Sequence, residues 1–304
     1  FVKCITYWEE IAMKSGFVPA LGTPLDESGN LCFESYKKQI EDQINAGASA
    51  ILCMGSMGIQ PCIRTGVCPQ VAKTAVEAAA GRVPVFVGAM DCSIVRAKER
   101  LAAMEDLDIT EFVLTTPYYY ASTREQMICY FKAVCAATKH KVLLYDLAVV
   151  TQSKITYDIV LELLRDVPNL AGIKSADLQM FRKLKLNPDV PKDFIMVYSG
   201  LDTFDIAYKW GIDKCLDGML SCTPKNTNRL FTALAAGNDT DAAAALDNII
   251  ELRDFFVAHD LWPSFSTAMN LLGYAGNFSP DYILPLKDGY ETEIQSKLKK
   301  LGEL

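Results

Sequence analysis

The sequence predicts an α/β protein built as a (β/α)8 barrel with a C-terminal helical extension. Eight short apolar runs alternate with amphipathic segments from residue 17 to about residue 237. Each run is apolar at consecutive positions, as expected of parallel strands that are covered on both faces. Eight β-then-α units in this length are what a closed barrel requires. A doubly wound open sheet is the alternative, but no G-x-G-x-x-G follows the first run.

The strands are predicted from these apolar runs, taken in chain order. They read FVPALGT (17–23), SAILCMG (49–55), VPVFVGA (83–89), EFVLTT (111–116), KVLLYD (141–146), LAGIKSA (170–176), FIMVYSG (194–200) and KCLDGML (214–220). In such a barrel the carboxyl ends of the strands build the active site. The residues at the end of each run are therefore the first place to look for function.

The segments between the runs carry helix start and stop signals. Gly47 ends FESYKKQIEDQINAG, and CPQVAKTAVEAAAG opens with Pro69 and ends at Gly81. Ser93 is the predicted N-cap of SIVRAKERLAAMED, and STREQMICYFKAVCAAT has a similar opening.

The last part of the chain carries helical patterns and no strong strand signal. The helices are predicted in DAAAALDNIIELRDFFVAH, PSFSTAMNLLGYAG and GYETEIQSKLKKLGEL, with breaks at Pro263 and at NFSPDYILP. We therefore divide the chain into a barrel (1–237) and a helical extension packed on it (238–304). No linker rich in Gly, Ser or Pro separates the two, so they are expected to form one continuous unit.

Composition and charge exclude several classes of partner. The formal net charge of -7 argues against nucleic acids and anionic membranes, which bind clustered Lys and Arg. The longest apolar runs are far too short to cross a bilayer. The N-terminal residues lack the pattern of a signal peptide. We therefore expect a cytoplasmic protein whose partner is a small molecule.

The cysteines and histidines give no sign of a metal or redox site. The chain has ten cysteines but no C-x-x-C pair, so reduced thiols packed as small apolar side chains are expected. The two histidines, His140 and His259, lie far apart in the sequence and lack carboxylates at ligand spacing. No metal is expected.

Lys174 is the most unusual residue among the predicted strand ends. It follows Leu170–Ile173 in a run that reads as a buried strand, where an ammonium group would be costly. An apolar surround favours the neutral amine, which is a nucleophile toward carbonyl carbons. The alternative is a lysine whose stem packs in the strand while its head reaches the solvent at the rim.

Two further strand ends supply groups that fit a nucleophilic lysine. Tyr145 ends the preceding run, so its phenol is expected within reach of the Lys174 amine, either as a proton shuttle or as a wall of the site. The turn GSMG (55–58) offers backbone N–H groups for a carboxylate, together with the Ser56 hydroxyl. By itself this segment is an ordinary tight turn. Taken together, the groups predict a Schiff-base enzyme that acts on a 2-oxo acid.

The same segments resemble the dihydrodipicolinate synthase / N-acetylneuraminate lyase family of class I aldolases. The resemblance covers about residues 17–235 with the motif spacing preserved. It is carried by the stretches PALGTPLDESGNLCFESYKKQIEDQINAGASAILCMGSMG, TTPYYYASTREQMICYFKAV, VLLYD, LAGIKSA, SGLD and DGMLS.

This resemblance implies a TIM barrel with C-terminal helices, assembled as a homotetramer or homodimer. It implies that Lys174 forms an imine with a pyruvate-like substrate and that Tyr145 carries protons. Ser56 takes the place of the turn hydroxyl, and the Ser56 and Met57 amides hold the carboxylate. Tyr119 matches the tyrosine that reaches into the neighbouring subunit's site in the synthase branch. No cofactor beyond the covalent imine is implied.

The remaining predicted substrate-binding residues come from the other strand ends. They are Gly55 beside Met57 in the turn, Gly200 and Asp202 in SGLD, and Leu220 after the last run. Asp202 is a candidate for binding a substrate hydroxyl, and capping of the following helix is an equal alternative.

Several positions depart from the family pattern. Met57 replaces a hydroxyl residue, which removes one hydrogen bond to the carboxylate, a loss of about 1 kcal/mol. Ile59 replaces the usual glutamate, and Ser175 follows the lysine where an acid is usual. Asp146 and Ala148 stand where the family has Asn and Pro.

Val150 bears on the choice of reaction. The lysine-biosynthesis branch has an arginine five residues after the shuttle tyrosine, and that position is Val150 here. The sequence therefore favours cleavage or formation of a C–C bond in a 2-keto-3-deoxy sugar acid or a sialic-acid-like substrate. A dihydrodipicolinate-type condensation, a dehydratase using the same imine, and a non-catalytic 2-oxo-acid-binding protein remain as alternatives.

Overall fold

The computed structural model describes residues 13–287 and 289–304 and contains eight parallel strands. The strands are β1 (Gly16–Pro19), β2 (Ile51–Cys53), β3 (Val85–Gly88), β4 (Glu111–Thr115), β5 (Lys141–Tyr145), β6 (Leu170–Ser175), β7 (Ile195–Tyr198) and β8 (Lys214–Asp217). Each overlaps one predicted run and stops short of its end, because the last residues of each run leave the sheet to form loops. The argument against a signal peptide concerns residues outside the described part.

The sheet closes on itself into a barrel. Its strands are hydrogen-bonded in the order β1-β8-β7-β6-β5-β4-β3-β2. A parallel bridge between Ala20 and Leu52 joins the two ends, and the Ser49 N–H donates to the Phe17 carbonyl across the same seam. The predicted α/β TIM barrel is confirmed.

Helices follow the strands and cover the barrel. They are α1 (Phe33–Asn45), α2 (Cys68–Ala79), α3 (Ile94–Ala102), α4 (Arg124–Cys135), α5 (Ala148–Thr151), α6 (Tyr157–Asp166), α7 (Leu178–Leu186), α8 (Phe204–Lys209), α9 (Pro224–Ala235), α10 (Asp239–Ala258), α11 (Leu261–Leu271) and α12 (Tyr290–Lys300). Ser93 occupies the N-cap position of α3 without a side-chain cap bond. Thr123 and Gln126 form a full capping box at α4.

The C-terminal helices pack on the barrel wall and on one another. α10 lies along α9, and α11 packs against α12. The break between α10 and α11 falls at residues 259–260, so the predicted break at Pro263 is wrong. Proline is tolerated there because Pro263 sits in the first turn of α11, where a helix N–H has no intrahelical partner. The division of the chain at residue 237 stays a prediction.

The barrel interior is apolar, and its residues come from alternate positions of the strands. Inward side chains form one buried cluster: Val18, Ala20, Ala50, Leu52, Phe86, Met90, Val113, Leu143, Tyr145, Val197 and Leu216. Tyr145 is the member of this cluster that carries a reactive polar group. The barrel interior is therefore filled with apolar side chains, and the Tyr145 side chain lies at the carboxyl end of β5.

A bulge in β6 sets the register between the ends of β5 and β6, which carry Tyr145 and Lys174. Val142 pairs with Leu170, whereas Leu143 pairs with Gly172, so β6 contains one extra residue at this point. Beyond the bulge, Tyr145 lies opposite Lys174. Without the extra residue, Tyr145 would lie opposite Ile173, which points to the outer face of the sheet.

The nine described cysteines are all free thiols. Five are buried, as expected of small apolar side chains, whereas Cys62, Cys92 and Cys129 are exposed. In the described part of the chain, every helix is too short or too polar to cross a lipid bilayer.

Candidate active site

Lys174 lies at the carboxyl end of β6 and is buried. Its side chain is 5% exposed, so the alternative of a lysine that reaches bulk solvent does not describe it. The amine lies over the face of the Tyr145 ring, with Nζ 3.9 Å from the ring centroid. Contact with the electron-rich ring face is favourable for a cationic or hydrogen-bond-donating nitrogen. The structure brings together the two residues that the sequence singled out, by ring contact rather than by a phenol–amine hydrogen bond.

Tyr145 is fixed by the barrel interior and is 5% exposed. Its ring belongs to the inward-facing apolar cluster, which holds it at the end of β5. The Ser56 hydroxyl donates to Tyr145 Oη over 3.4 Å, a long hydrogen bond. Amine, phenol and hydroxyl from three strand ends therefore meet at one mouth of the barrel.

The turn after β2 is strained and tightly packed. Met54 and Ile59, on either side of GSMG, have φ angles of 54° and 48°, which are unfavourable for side chains of their kind. A Cβ on Gly58 would lie 2.9 Å from the Leu21 carbonyl oxygen, so a larger residue would displace the backbone there. Such strain is retained where the surrounding structure fixes the turn, as it does at many functional sites.

The amides of this turn are available to a ligand. Within the part of the chain that the structure describes, no group accepts a hydrogen bond from the Ser56 or Met57 N–H. Both residues are partly exposed, whereas Gly55 and Gly58 are buried. The turn therefore offers two N–H donors next to the Ser56 hydroxyl.

Met57 and Leu220 differ in where the structure places them. A Cβ on Gly218 would lie 2.8 Å from Met57 Cε, so the methionine side chain rests against the loop after β8. Leu220, in the turn that follows, is fully buried. Leu220 packs in the large apolar core cluster rather than with the inward-facing barrel residues. The roles of Met57 and Leu220 in substrate binding stay predictions.

Gly200 and Asp202 follow β7. A Cβ on Gly200 would lie 2.3 Å from Tyr198 Oη, so the glycine makes room for that phenol. The Asp202 carboxylate accepts two hydrogen bonds of 2.7 Å from Arg253 of α10, and its side chain is 64% exposed. Arg253 lowers the pKa of Asp202. The carboxylate neither contacts Lys174 nor caps a helix, and its role in substrate binding stays a prediction.

Tyr119 lies on the loop after β4 and is 75% exposed. Its φ is 83°, a strained value for a tyrosine, and its ring contacts the Tyr120 ring edge to face. It contacts neither Lys174 nor Tyr145 within the described chain.

Two residues near the site were missed by the sequence reasoning. Asp217 ends β8; burial raises its pKa, while the Met219 N–H and the nearby Lys174 amine act in the opposite direction. Thr115 lies opposite Tyr145 in the register, is 2% exposed and has no hydrogen-bond partner for its hydroxyl among the described residues. The sequence feature that could have identified Asp217 and Thr115 is their position near the end of an apolar run.

The loop after β5 holds a third group that was missed, Lys154. Its amine forms an ion pair with Asp146 and lies 3.2 Å from the Asp177 carboxylate. Burial alone would lower the pKa of Lys154, but the two carboxylates outweigh it and raise the pKa.

Metal ligands are not grouped anywhere in residues 13–287 and 289–304: no cluster of three or more His, Cys, Asp or Glu side chains could hold an ion. Both His140 ring nitrogens contact backbone carbonyls, and His259 Nδ1 contacts the Phe255 carbonyl.

Known proteins share this fold and are similar to this chain in sequence. The model of the dihydrodipicolinate synthetase family matches residues 13–301. The 4-hydroxy-tetrahydrodipicolinate synthase of Nitrosospira multiformis is 28% identical over 296 residues, 97% of this chain and 97% of that protein.

Solved structures of other proteins have the same barrel fold. YagE, an E. coli K12 prophage protein of the dihydrodipicolinic acid synthase family in complex with pyruvate, gives a TM-score of 0.85 at 19% identity, covering 96% of this chain and 99% of that one. A monomeric dihydrodipicolinate synthase variant gives a TM-score of 0.87 at 22% identity, over 97% and 99% of the two chains. The family match spans nearly the whole chain, and the members of this family are lyases. The chain therefore belongs to the dihydrodipicolinate synthetase family and is an enzyme of the lyase class.

Proposed function

We propose that the protein is a lyase that forms an imine between Lys174 and the 2-oxo group of a pyruvate-like acid. One observation carries the proposal: the buried Lys174 amine lies 3.9 Å from the centroid of the Tyr145 ring, at the carboxyl ends of adjacent strands. An amine held away from bulk water and beside a phenol has both a nucleophile and a proton carrier in place.

The Lys174 amine and the Tyr145 phenol supply the nucleophile and the proton transfers that the proposed reaction needs. The amine adds to the C2 carbonyl, and the carbinolamine takes a proton from Tyr145 and loses water to give a protonated imine, which leaves Tyr145 as a phenolate. Cleavage of the C3–C4 bond sends its electron pair into the imine to form an enamine, while the C4 hydroxyl gives its proton to Tyr145 and leaves as an aldehyde. Protonation at C3 and hydrolysis then release pyruvate and restore the amine. The imine is the electron sink, so this chemistry requires no metal or organic cofactor.

The turn after β2 supports recognition of the acid group. The Ser56 and Met57 amides have no acceptor among the described residues, and with the Ser56 hydroxyl beside Tyr145 they could bind an anion. Met57 adds no side-chain hydrogen bond, so we expect weaker carboxylate binding than two hydroxyls would give.

The loop after β5 supports cleavage over condensation with a second anionic substrate. Val150 lies on α5 with 57% of its surface exposed and cannot pair with a carboxylate. Lys154 is the one basic residue between positions 146 and 156, and its charge is already matched by Asp146 and Asp177. We therefore favour a 2-keto-3-deoxy sugar acid or a sialic-acid-like compound as the substrate.

Trapping with sodium borohydride tests the imine. With pyruvate present, borohydride should add the mass of one reduced pyruvyl group, and peptide mapping should locate it at Lys174. The Lys174→Arg variant should take up none, whereas Lys132→Ala, on the outer helix α4, should be trapped like the wild type. An unmodified but folded wild-type protein would overturn the proposal.

Product analysis tests the direction of the reaction. Pyruvate release from a panel of 2-keto-3-deoxy acids and N-acetylneuraminate can be followed with lactate dehydrogenase. Activity on one of them supports the lyase proposal. Formation of 4-hydroxy-tetrahydrodipicolinate, the product in the names of the curated relatives, would instead identify a synthase and would show that the Val150 argument is wrong.

A further inference from the structure

The ends of β5 and β6 are joined by a buried carboxylate immediately after the two proposed reactive residues. Asp146 follows Tyr145, is 8% exposed, and accepts a 2.7 Å hydrogen bond from the Ser175 hydroxyl. Ser175 follows Lys174 and is fully buried. Two positions that depart from the family pattern are therefore bonded to each other.

Further hydrogen bonds hold both oxygens of the Asp146 carboxylate. Asp146 Oδ2 also accepts from Lys154 Nζ, and Oδ1 accepts from the Ile155 N–H over 3.1 Å. The Ser175 hydroxyl in turn accepts from the Asp177 N–H over 3.0 Å. The hydroxyl proton of Ser175 is therefore directed to Asp146. We call Asp146, Lys154 and Ser175 the strand-end bracket.

Position 146 needs a carboxylate rather than an amide. Both oxygens of Asp146 face donors, with Ser175 and Lys154 on one side and the Ile155 N–H on the other. An asparagine could satisfy one side only, because its NH2 group would face a donor on the other. A buried donor left without an acceptor is destabilising, because it has lost its hydrogen bond to water without a replacement.

The bracket is connected to the reactive pair through the backbone. The Asp146 N–H donates to the Lys174 carbonyl over 2.9 Å, which is the last link between β5 and β6. The side-chain bonds therefore hold the same two strand ends from which the Tyr145 ring and the Lys174 amine project. A shift of about 1 Å between reacting groups can cost about 100-fold in rate.

We propose that the strand-end bracket positions the Lys174 amine against Tyr145, so that Asp146 and Ser175 act as positioning residues for imine formation. This inference rests on the proposed function. The bracket does not touch the turn after β2, so the binding of the substrate carboxylate should be little affected by its loss.

The test uses the full chain and pyruvate, with Asp146→Asn, Ser175→Ala and the double variant. We expect the rate of borohydride-trapped imine formation to fall by about 10-fold or more in each single variant, as misalignment predicts. The final trapped fraction at saturating pyruvate should stay complete, which a partly unfolded sample would not show. Because the two side chains share one hydrogen bond, the double variant should be no slower than the slower single variant.

Controls separate the possible failures. Asp166→Asn, which removes a carboxylate paired with Lys132 on the outer surface, should react like the wild type. If Asp146→Asn does not fold, the trapping rates of Ser175→Ala and Lys154→Met are compared with the wild-type rate instead. Trapping rates within about twofold of the wild type in the folded variants, or strictly additive losses, would overturn the inference. Failure of the wild type to trap pyruvate would instead overturn the proposed function on which it rests.

Discussion

The side chain of Tyr145 has two separable parts in this structure. Its ring packs in the barrel interior and forms the surface on which the Lys174 amine lies, whereas its hydroxyl meets Ser56. Because the ring and the hydroxyl have different contacts, removing the oxygen alone should leave the ring in place.

We predict that Tyr145→Phe separates imine formation from turnover. The ring still supports Lys174, so borohydride should trap pyruvate to completion. Loss of the proton carrier should lower kcat for C–C cleavage by about 100- to 10,000-fold. A kcat equal to the wild-type value would show that another group carries the proton.

Gly172 is a residue whose size is dictated by the neighbouring strands. A Cβ at this position would lie 2.2 Å from the Ile195 carbonyl oxygen and 2.7 Å from Leu143 Cδ2. We predict that Gly172→Ala lowers the free energy of unfolding by about 1–3 kcal/mol, because the backbone of β7 must move. Gly66→Ala is the matched control, since no atom of the described residues lies within 4 Å of the added carbon. Equal thermal unfolding midpoints for the two variants would contradict the prediction.

At the scale of elements, charge adds to the apolar packing that attaches the last helix to the molecule. Glu251 of α10 accepts hydrogen bonds from Lys297 and Lys300 of α12, and these lower its pKa. A carboxyl group whose pKa is lower in the folded state stabilises the fold above its unfolded value, about 4.3. That contribution is lost as the pH falls through the folded pKa.

We therefore predict that acid loosens α12 before it loosens the barrel. Amide hydrogen exchange in residues 290–300, corrected for intrinsic rates, should be faster at pH 3 than at pH 6. The effect should be small because Glu251 is 43% exposed. Glu251→Gln should abolish the difference, and Glu27→Gln, an exposed acid elsewhere, should preserve it. Equal protection of α12 at both pH values would contradict the prediction.

At the scale of the whole molecule, one rim of the barrel exposes large apolar side chains. Tyr119 and Tyr120 after β4 are 75% and 77% exposed, and Val149 and Val150 of α5 are 92% and 57% exposed. Exposed apolar residues on neighbouring loops are typical of an interaction surface. We propose that this rim joins copies of the chain into a homodimer or homotetramer, as the resemblance implied for Tyr119.

Sedimentation velocity checks this proposal. The wild type should sediment as more than a monomer, and Tyr119→Ala with Tyr120→Ala should shift it toward the monomer and lower its activity. Tyr282→Ala removes a tyrosine that is 74% exposed elsewhere and should change neither. A fully active monomer at all concentrations would contradict the proposal.

The sequence determined the barrel and singled out the two residues that we propose to react. Short runs of consecutive apolar residues that alternate with amphipathic helices are typical of strands covered on both faces, so the eight runs predicted eight parallel strands. Lys174 stood out because an ammonium group at the end of a buried run is costly, and Tyr145 stood out because it ends the preceding run. Both arguments depend on local pattern, which the sequence displays directly.

Only the tertiary structure decided the register of the strands and which distant side chains bond to one another. The bulge in β6 brings Tyr145 opposite Lys174, and no local pattern around Ala171 or Gly172 announces an extra residue. Asp202 pairs with Arg253 of α10, fifty-one positions away, and Asp146 pairs with Ser175 across two strands. Such contacts depend on how distant segments are packed, and that information is held by the closed barrel as a whole rather than by any one stretch of the chain.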